Sequence, residues 1–158
     1  IPAHAAPFRP VCVRLLDSRN NIIDTIRSTE PFFLEIEYEL ADMIQGLRVG
    51  VYILTSHGEY VFTSFDTDDP GQYVAFAQRP GGRYTSRCRI PENLLNSGRS
   101  VVGVNASAFK ITTYFHDEHA LAFSVDAAGA PGTQWPETRM GSIRPALNWQ
   151  IIQQTYDK

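Results

Sequence analysis

The chain has 158 residues, 43% of them hydrophobic, which fits one domain with a substantial core. Its formal net charge of −3 excludes a bulk attraction to nucleic acid or to acidic membranes. No apolar run approaches the roughly 20 residues that a membrane helix needs.

The first ten residues, IPAHAAPFRP, are rich in proline and alanine and are interpreted as a linker remnant, followed by one domain over residues 11–158. Because the chain begins at Ile1 rather than at a methionine, we expect an excised domain. Cys12 and Cys88 are the only cysteines, and they have no CxxC spacing. This pattern favours buried free thiols, typical of a reducing compartment, over a zinc site or a disulfide scaffold.

Strands are predicted wherever apolar and polar residues alternate, because successive side chains of a strand point to opposite faces. Residues 11–16 and 22–26 are the first two. In residues 32–40, aliphatic and aromatic side chains alternate with Glu35, Glu37 and Glu39. We expect the glutamate face to meet water; the alternative is a catalytic carboxylate cluster.

A hairpin over residues 47–65 is the central feature of the sequence. Its first strand places Leu47, Val49, Val51 and Ile53 on one face, and its second strand runs over residues 59–65. The two strands join at Ser56-His57-Gly58, where Gly58 can adopt the positive φ of a short hairpin loop. The inner face is aliphatic, whereas the outer face carries arginine and tyrosine, which raises the question of a ligand.

Two polar segments leave alternatives open. Residues 66–71, DTDDPG, are predicted to form an acidic turn, with a calcium loop as the alternative. Residues 116–119, HDEH, are predicted to form a polar turn, with a metal site as the alternative because two histidines at this spacing can ligate a metal on a helix.

The second half of the chain adds strands over residues 84–90, 100–109 and 120–125. A long segment rich in glycine, proline and alanine follows over residues 126–142 and contains Trp135. A final strand is predicted over residues 143–156. A strand on so long a tether can dock on its own domain or on a second copy, and such an exchange produces a two-fold dimer.

Together these elements predict an all-β, antiparallel two-sheet sandwich. The sequence contains none of the GxxxxGK[ST], GxSxG, HExxH or GxGxxG motifs. We therefore predict a domain that is not an enzyme and that uses no cofactor or metal.

Four segments carry a resemblance to a known family: VGVYILTSHGEYVFTS, IPENLLNSGRSVVGV, LAFSV and MGSIRPALNW. Together they resemble the C-terminal carbohydrate-binding domain of Wzt-type proteins, the ATP-binding subunits of O-antigen polysaccharide ABC exporters in Gram-negative bacteria. The resemblance implies an immunoglobulin-like sandwich that forms a homodimer by exchanging its last strand.

The resemblance also implies a function. The domain would bind O-antigen polysaccharide, the outer part of lipopolysaccharide, in the cytoplasm at the inner membrane before export. It would recognise the non-reducing terminal cap so that only finished chains leave. Its other partners would be the ATPase domain of the same chain and the membrane subunit of the exporter.

A sugar site needs aromatic faces and fixed hydrogen-bonding groups, and we expect both on one outward face of the central sheet. The predicted carbohydrate-binding residues are Arg48, Tyr52, Tyr60, Phe62, Arg87, Arg89, Asn105 and Ser107. Arg48 or Arg87 would bind an acidic sugar or a phosphate, because a guanidinium contacts such groups through two hydrogen bonds. Trp135 either closes over this site or packs elsewhere.

Two other functions remain open from the sequence. The aromatic face could be a protein–protein interface on a sandwich without a sugar ligand. A small carbohydrate-active enzyme is also possible, because paired carboxylates on a sandwich leave no short motif.

Overall fold

The computed structural model describes residues 3–135 and 137–154, which form ten strands and two short helical segments. The strands are β1 (Phe8–Leu16), β2 (Thr25–Arg27), β3 (Phe32–Leu40), β4 (Ile44–Gln45), β5 (Leu47–Thr55), β6 (Tyr60–Phe65), β7 (Gln78–Arg79), β8 (Gly82–Ile90), β9 (Gly98–Ala108) and β10 (Thr112–Asp126). The helical segments are a 3-10 turn (Asp66–Asp68) and helix α1 (Pro70–Ala75).

Two main sheets face each other, which confirms the predicted sandwich of the immunoglobulin-like class. One sheet has the order β1-β3-β8 and the other has the order β2-β10-β9-β5-β6, while β4 and β7 form a small separate pair. Every pairing is antiparallel except that of β2 with β10. Strands β6 and β8 are therefore edge strands, one in each main sheet.

The core lies between the sheets and is built by the alternating residues that the sequence indicates. Leu34 and Ile36 of β3 face Val51 and Ile53 of β5, and each is 3% exposed or less. β1 begins at Phe8 rather than at residue 11, because Phe8 is itself a core residue that stacks on Tyr38 at 5.2 Å between ring centroids. The predicted hairpin is confirmed, and Gly58 has a φ of 84°.

The glutamate face of β3 lies on the outside of the three-stranded sheet. Each of its three carboxylates pairs with arginines of the neighbouring strands at N–O distances from 2.6 to 3.6 Å. The glutamates are Glu35, Glu37 and Glu39, and the arginines are Arg9 and Arg14 of β1 and Arg83 and Arg87 of β8. The face is thus outward, as predicted, and each carboxylate on it is ion-paired.

Helix α1 corrects the predicted acidic turn. The Asp69 side chain accepts hydrogen bonds from the backbone N–H groups of Gly71 and Gln72, and Pro70 occupies the first helical position. An aspartate cap followed by proline starts a helix as readily as a turn. The described residues contain no cluster of three or more acidic, histidine or cysteine side chains that could hold a metal ion.

One further prediction about secondary structure was wrong, and the predicted last strand does not form within a single chain. Residues 116–119 lie within β10 (Thr112–Asp126) rather than in a turn, although the pairing of β10 with β9 is irregular between Asp117 and Leu121. Residues 143–154 form no regular strand; a bridge joins Ile143 to Leu95, and residues 155 and 156 lie outside the described part of the chain. A strand needs a partner for its backbone groups, and this segment has none beyond that bridge among the described residues.

Both cysteines are free and half-buried. Of the described residues, no helix has the length and apolar character needed to cross a membrane.

Candidate functional site

The eight predicted site residues do not share one face, and the expectation that they would was wrong. Five of them lie together on the outer face of the five-stranded sheet, which we call the outer face: Arg48 and Tyr52 on β5, Tyr60 on β6, and Asn105 and Ser107 on β9. Arg87 and Arg89 belong to β8, in the other sheet. Alternation within one strand shows which residues share a side, but not which sheet the strand joins.

Phe62 also lies apart from the outer face. Ile53 pairs with Phe62 and Leu54 pairs with Tyr60, so the register of the hairpin shifts between these two positions. Because Ile53 points into the core, Phe62 packs against the core beside it, whereas Tyr60 points outward. The irregularity breaks the strict alternation that placed the two aromatic residues together.

The two arginines of β8 are engaged by carboxylates. Arg87 donates to Glu35 at 2.6 Å and to Asn20 Oδ1 at 3.0 Å, and its guanidinium lies 4.1 Å from the centre of the Phe33 ring. Arg89 donates to Glu92 at 3.1 Å. Their positive charges are therefore already balanced by neighbouring side chains.

Arg48 has a different environment. Its guanidinium lies 4.1 Å from the centre of the Phe65 ring and 5.1 Å from that of Phe109, and its Nε donates to Ser107 Oγ at 3.3 Å. Among the described residues no carboxylate lies within 4.0 Å of it. Arg48 is thus a half-buried cation held between aromatic rings, and it can bind an anionic or hydroxyl group of a ligand.

A ring of polar and aromatic side chains lies next to Arg48. The Tyr60 hydroxyl donates to Glu118 Oε1 at 2.6 Å, and His116 Nε2 lies 3.3 Å from the same oxygen. On its other side, His116 Nδ1 is 3.0 Å from Asn105 Nδ2. Tyr52 closes the ring, with its centroid 5.3 Å from that of Tyr60 and 5.5 Å from that of His116.

The hydrogen bonds of this ring change the pKa values of its members. The hydroxyl of Tyr60, and then the ring of His116, hold the pKa of Glu118 below its ordinary value. The same bond to the carboxylate raises the pKa of Tyr60. Burial raises the pKa of Tyr52. Glu118 is therefore a fixed acceptor at neutral pH, and both tyrosines stay protonated.

Burial within the outer face is uneven. Tyr60 is 53% exposed, whereas Asn105 and Ser107 are 8% and 6% exposed. Asn105 Oδ1 is buried without a hydrogen-bond partner among the described residues. A ligand would therefore meet Tyr60, Tyr52 and Arg48 first, with the two buried side chains supporting them from below.

Two glycines let aromatic rings lie flat across the sheet. Gly50 pairs directly with Phe65, and a Cβ atom at Gly50 would overlap the Phe65 ring. Gly103 pairs directly with Tyr52, and a Cβ atom there would lie 3.0 Å from Tyr52 Cδ2. Glycines that face aromatic residues on a neighbouring strand were a signal in the sequence, but it becomes readable only once the pairing is known.

The sequence prediction missed four members of this surface: Phe65, Phe109, His116 and Glu118. The two polar residues were assigned to a turn, so their positions on β10 were overlooked. Trp135, for which two roles were open, is 61% exposed.

Comparison with known proteins identifies the family. The family model of the Wzt C-terminal domain matches residues 9–135, which is most of the chain. The chain belongs to the Wzt C-terminal domain family. A search of the curated proteins returns no match.

A crystal structure of the C-terminal domain of Wzt has the same fold. It superposes with a TM-score of 0.70 at 11% sequence identity, and the match covers 94% of this chain and 86% of that one. Membership of the Wzt C-terminal domain family assigns the domain a carbohydrate-binding, non-catalytic role in an ABC exporter of O-antigen polysaccharide, at the level of the family.

Proposed function

We propose that this domain binds the non-reducing terminal cap of an O-antigen polysaccharide on its outer face and thereby selects finished chains for export. The observation that carries the proposal is Arg48, a cation between two aromatic rings without a carboxylate partner among the described residues. It stands beside a ring of hydrogen-bonding groups held by Tyr60 and Glu118. Such a surface suits a sugar bearing an acidic or phosphate group.

The expected role of each residue follows from the chemistry of its side chain. Tyr52 and Tyr60 offer ring faces and edges to sugar C–H groups, and the Tyr60 hydroxyl and Glu118 carboxylate offer fixed polar contacts. Arg48 binds the anionic group of the cap through charge-assisted hydrogen bonds, which are about twice as strong as neutral ones. In this proposal Arg87 and Arg89, already paired on the opposite sheet, make no contact with the sugar.

The test is a calorimetric titration of the domain with purified O-polysaccharide of the source organism, in its native capped form and after chemical or enzymatic removal of the cap. We expect the capped chain to bind and the uncapped chain to bind at least about tenfold more weakly, equivalent to about 1.4 kcal/mol. Equal affinity for both forms would show that the repeat rather than the end is recognised. Absence of binding to either form would refute the proposal.

We also propose that the domain acts as a homodimer in which residues 143–154 add a strand to the partner copy. Support comes from the exposed apolar side chains of this segment: Leu147, Trp149 and Ile151 are 68%, 87% and 100% exposed. These three positions alternate and would lie on one face of a strand. The dimer would sit in the cytoplasm at the inner membrane, next to the ATPase domain and the membrane subunit.

One observation favours the alternative of a protein–protein interface. At the end of the sandwich, Tyr73 and Val74 of α1 and Phe109 and Ile111 of the β9–β10 turn are between 64% and 78% exposed. An exposed apolar group of this kind marks many interaction surfaces. The titration separates the two functions, because an interface without a sugar ligand gives no heat with either polysaccharide.

A further inference from the structure

An open cleft separates the two sheets along the side where β6 and β8 are edge strands. Its volume is about 510 Å³, within the roughly 300–1,000 Å³ of small-ligand sites. It opens between the sheets, whereas Arg48 and Tyr52 project from the outside of the five-stranded sheet. The cleft therefore opens on a different side of the sheet from the outer face, although the two adjoin at Phe65, which lines the cleft and also contacts Arg48.

The cleft exists because the inward positions of both edge strands carry small side chains. Ser64 of β6 lies opposite Val51, and on β8 Ser86 and Cys88 lie opposite Ile36 and Leu34. Large apolar side chains at these positions would close the sandwich, as they do elsewhere in the core. Instead, Ile36 and Val51 form the buried floor of the cleft, and the apolar side chains partly exposed in it are those of Phe76, Tyr84 and Cys88.

Fixed polar groups occupy one part of the cleft. Arg79, which is only 2% exposed, donates to Asp66 Oδ2 at 2.9 Å and to the Tyr38 hydroxyl at 2.6 Å. Ser86 Oγ donates to the same oxygen of Asp66 at 2.9 Å. Arg79 Nε is buried without a hydrogen-bond partner among the described residues, although its side chain lines the cleft.

The charge in the cleft argues against an anionic ligand. Asp66 balances the charge of Arg79. Asp68 and Asp69 add two further carboxylates, and backbone N–H groups of Phe65 and Gly71 fix one oxygen of each, at 2.9 and 2.8 Å. The second oxygen of each remains able to accept a hydrogen bond from a hydroxyl group.

We propose that this cleft binds one neutral, hydroxyl-rich saccharide unit. The partly exposed rings of Phe76 and Tyr84 would pack against sugar C–H groups, and the free carboxylate oxygens of Asp68 and Asp69 would accept hydrogen bonds from its hydroxyls. This inference rests on the proposed glycan-binding function and adds a second subsite to it. In this arrangement the outer face binds an acidic group of the glycan, and the cleft binds a neutral sugar unit.

Cys88 provides a reporter, because its thiol is half-buried and lines the cleft. In a Cys12→Ser variant it is the only cysteine, and its labelling rate with N-ethylmaleimide measures access to the cleft. The probes are methyl glycosides of neutral hexoses and 6-deoxyhexoses, with methyl glucuronide as the anionic control. At about four times its Kd a bound glycoside slows labelling about fivefold, since protection equals 1 + [L]/Kd.

We expect at least one neutral glycoside to slow labelling to this extent and the glucuronide to leave the rate unchanged. The inference is overturned if no neutral glycoside slows labelling. It is also overturned if deletion of residues after Ser142 speeds labelling and glycosides still give no protection, because the tail of a chain then occupies the cleft.

A Ser64→Leu variant in the Cys12→Ser background supplies the matched control, because leucine at this inward position fills the cleft. It should abolish direct glycoside binding by calorimetry while leaving Arg48-dependent polysaccharide binding within about twofold, because Ser64 points to the opposite face of β6 from Phe65. If it does not melt cooperatively, Ser64→Val replaces it. If the polysaccharide binds but no glycoside protects Cys88, only the cleft proposal is refuted. If a glycoside protects Cys88 but the polysaccharide does not bind, only the outer-face proposal is refuted.

Discussion

Arg79 Nη1 lies 2.9 Å from Asp66 Oδ2 and links β7 to the 3-10 turn that follows β6. The same guanidinium donates to the backbone carbonyl of Leu47 at 3.1 Å, and Asp66 Oδ1 accepts from the backbone N–H of Val49 at 3.1 Å. The ion pair therefore fixes the start of β5 through its backbone.

Replacing Asp66 with alanine should destabilise the domain by about 3–5 kcal/mol, because it leaves the buried charge of Arg79 without its partner. Urea unfolding at neutral pH measures the change. Ser86→Ala is the matched control, since it removes the hydrogen bonds to Asp66 and to the Tyr38 hydroxyl but no charge, and it should cost about 1–2 kcal/mol. A loss below 1 kcal/mol for Asp66→Ala would show that the pair is dispensable.

Replacing Arg48 with alanine should weaken binding of the capped polysaccharide by tenfold or more, about 1.4 kcal/mol. Arg87→Ala, which removes a paired arginine from the opposite sheet, should change the affinity less than twofold. Calorimetry at two salt concentrations gives both values, and the wild-type affinity should fall with added salt more than that of Arg48→Ala. A larger effect at Arg87 would move the site to the three-stranded sheet.

Replacing Gly50 with alanine should destabilise the domain by about 1–3 kcal/mol, because the new methyl group overlaps the Phe65 ring and the backbone carbonyl of Ser64. The displaced Phe65 would also release Arg48, so polysaccharide affinity should fall as well. Thr63→Ala on the same sheet face is the control for thermal unfolding, with an expected change within about 0.5 kcal/mol. Unchanged stability of Gly50→Ala would mean that Phe65 moves aside freely.

The stability of the domain should fall as the pH drops below 4.5, the ordinary pKa of a glutamate. Hydrogen bonds from Arg83 and then Arg14 hold the pKa of Glu37 lower, and Arg9 does the same for Glu39. Carboxylates with a depressed pKa stabilise the fold above their unfolded pKa and lose that contribution as the pH falls through the folded pKa. The urea midpoint should therefore decline between about pH 5 and pH 3.

Glu37→Gln should flatten this decline, because an amide does not titrate. Glu59→Gln, in the turn between β5 and β6, should keep the wild-type slope. A Glu37→Gln variant with the full wild-type slope would assign the pH dependence to other carboxylates.

Truncation after Ser142 should yield a monomer or an unstable product if residues 143–154 add a strand to a partner copy. Sedimentation velocity and thermal unfolding measure these two properties. A Trp149→Ala variant tests the same segment without shortening it and should weaken the dimer. An intact, stable dimer from the truncated chain would refute strand exchange.

The strands of this fold could be predicted because their apolar residues alternate over long runs. β3 extends over the predicted residues 32–40, and the central hairpin forms with a turn at Gly58. Helix α1 was missed because Asp69-Pro70-Gly71 starts turns as well as helices. Residues 143–154 were assigned a strand on pattern alone, and pattern does not supply a hydrogen-bonding partner.

The candidate site was harder to predict than the fold. Arg48, Tyr52 and Asn105 were placed together because β5 and β9 carry them at outward positions. Arg87 has the same local pattern, yet it lies on the opposite side of the molecule, since sheet membership depends on pairing between distant segments. His116 was missed because a run of four polar residues gave no indication of a strand.

The carboxylate row on β3 also limits how that strand can align with its neighbours. Sliding β3 by one residue would turn Glu35, Glu37 and Glu39 into the apolar interior and bring Leu34, Ile36 and Tyr38 out to solvent. Three unpaired carboxylates in the interior would exclude that register, whereas the arginines of β1 and β8 stabilise the native one by pairing with them. The three glutamates therefore help to specify the register of β3. Replacing them with neutral residues should increase misfolding during refolding more than it lowers the stability of the folded domain.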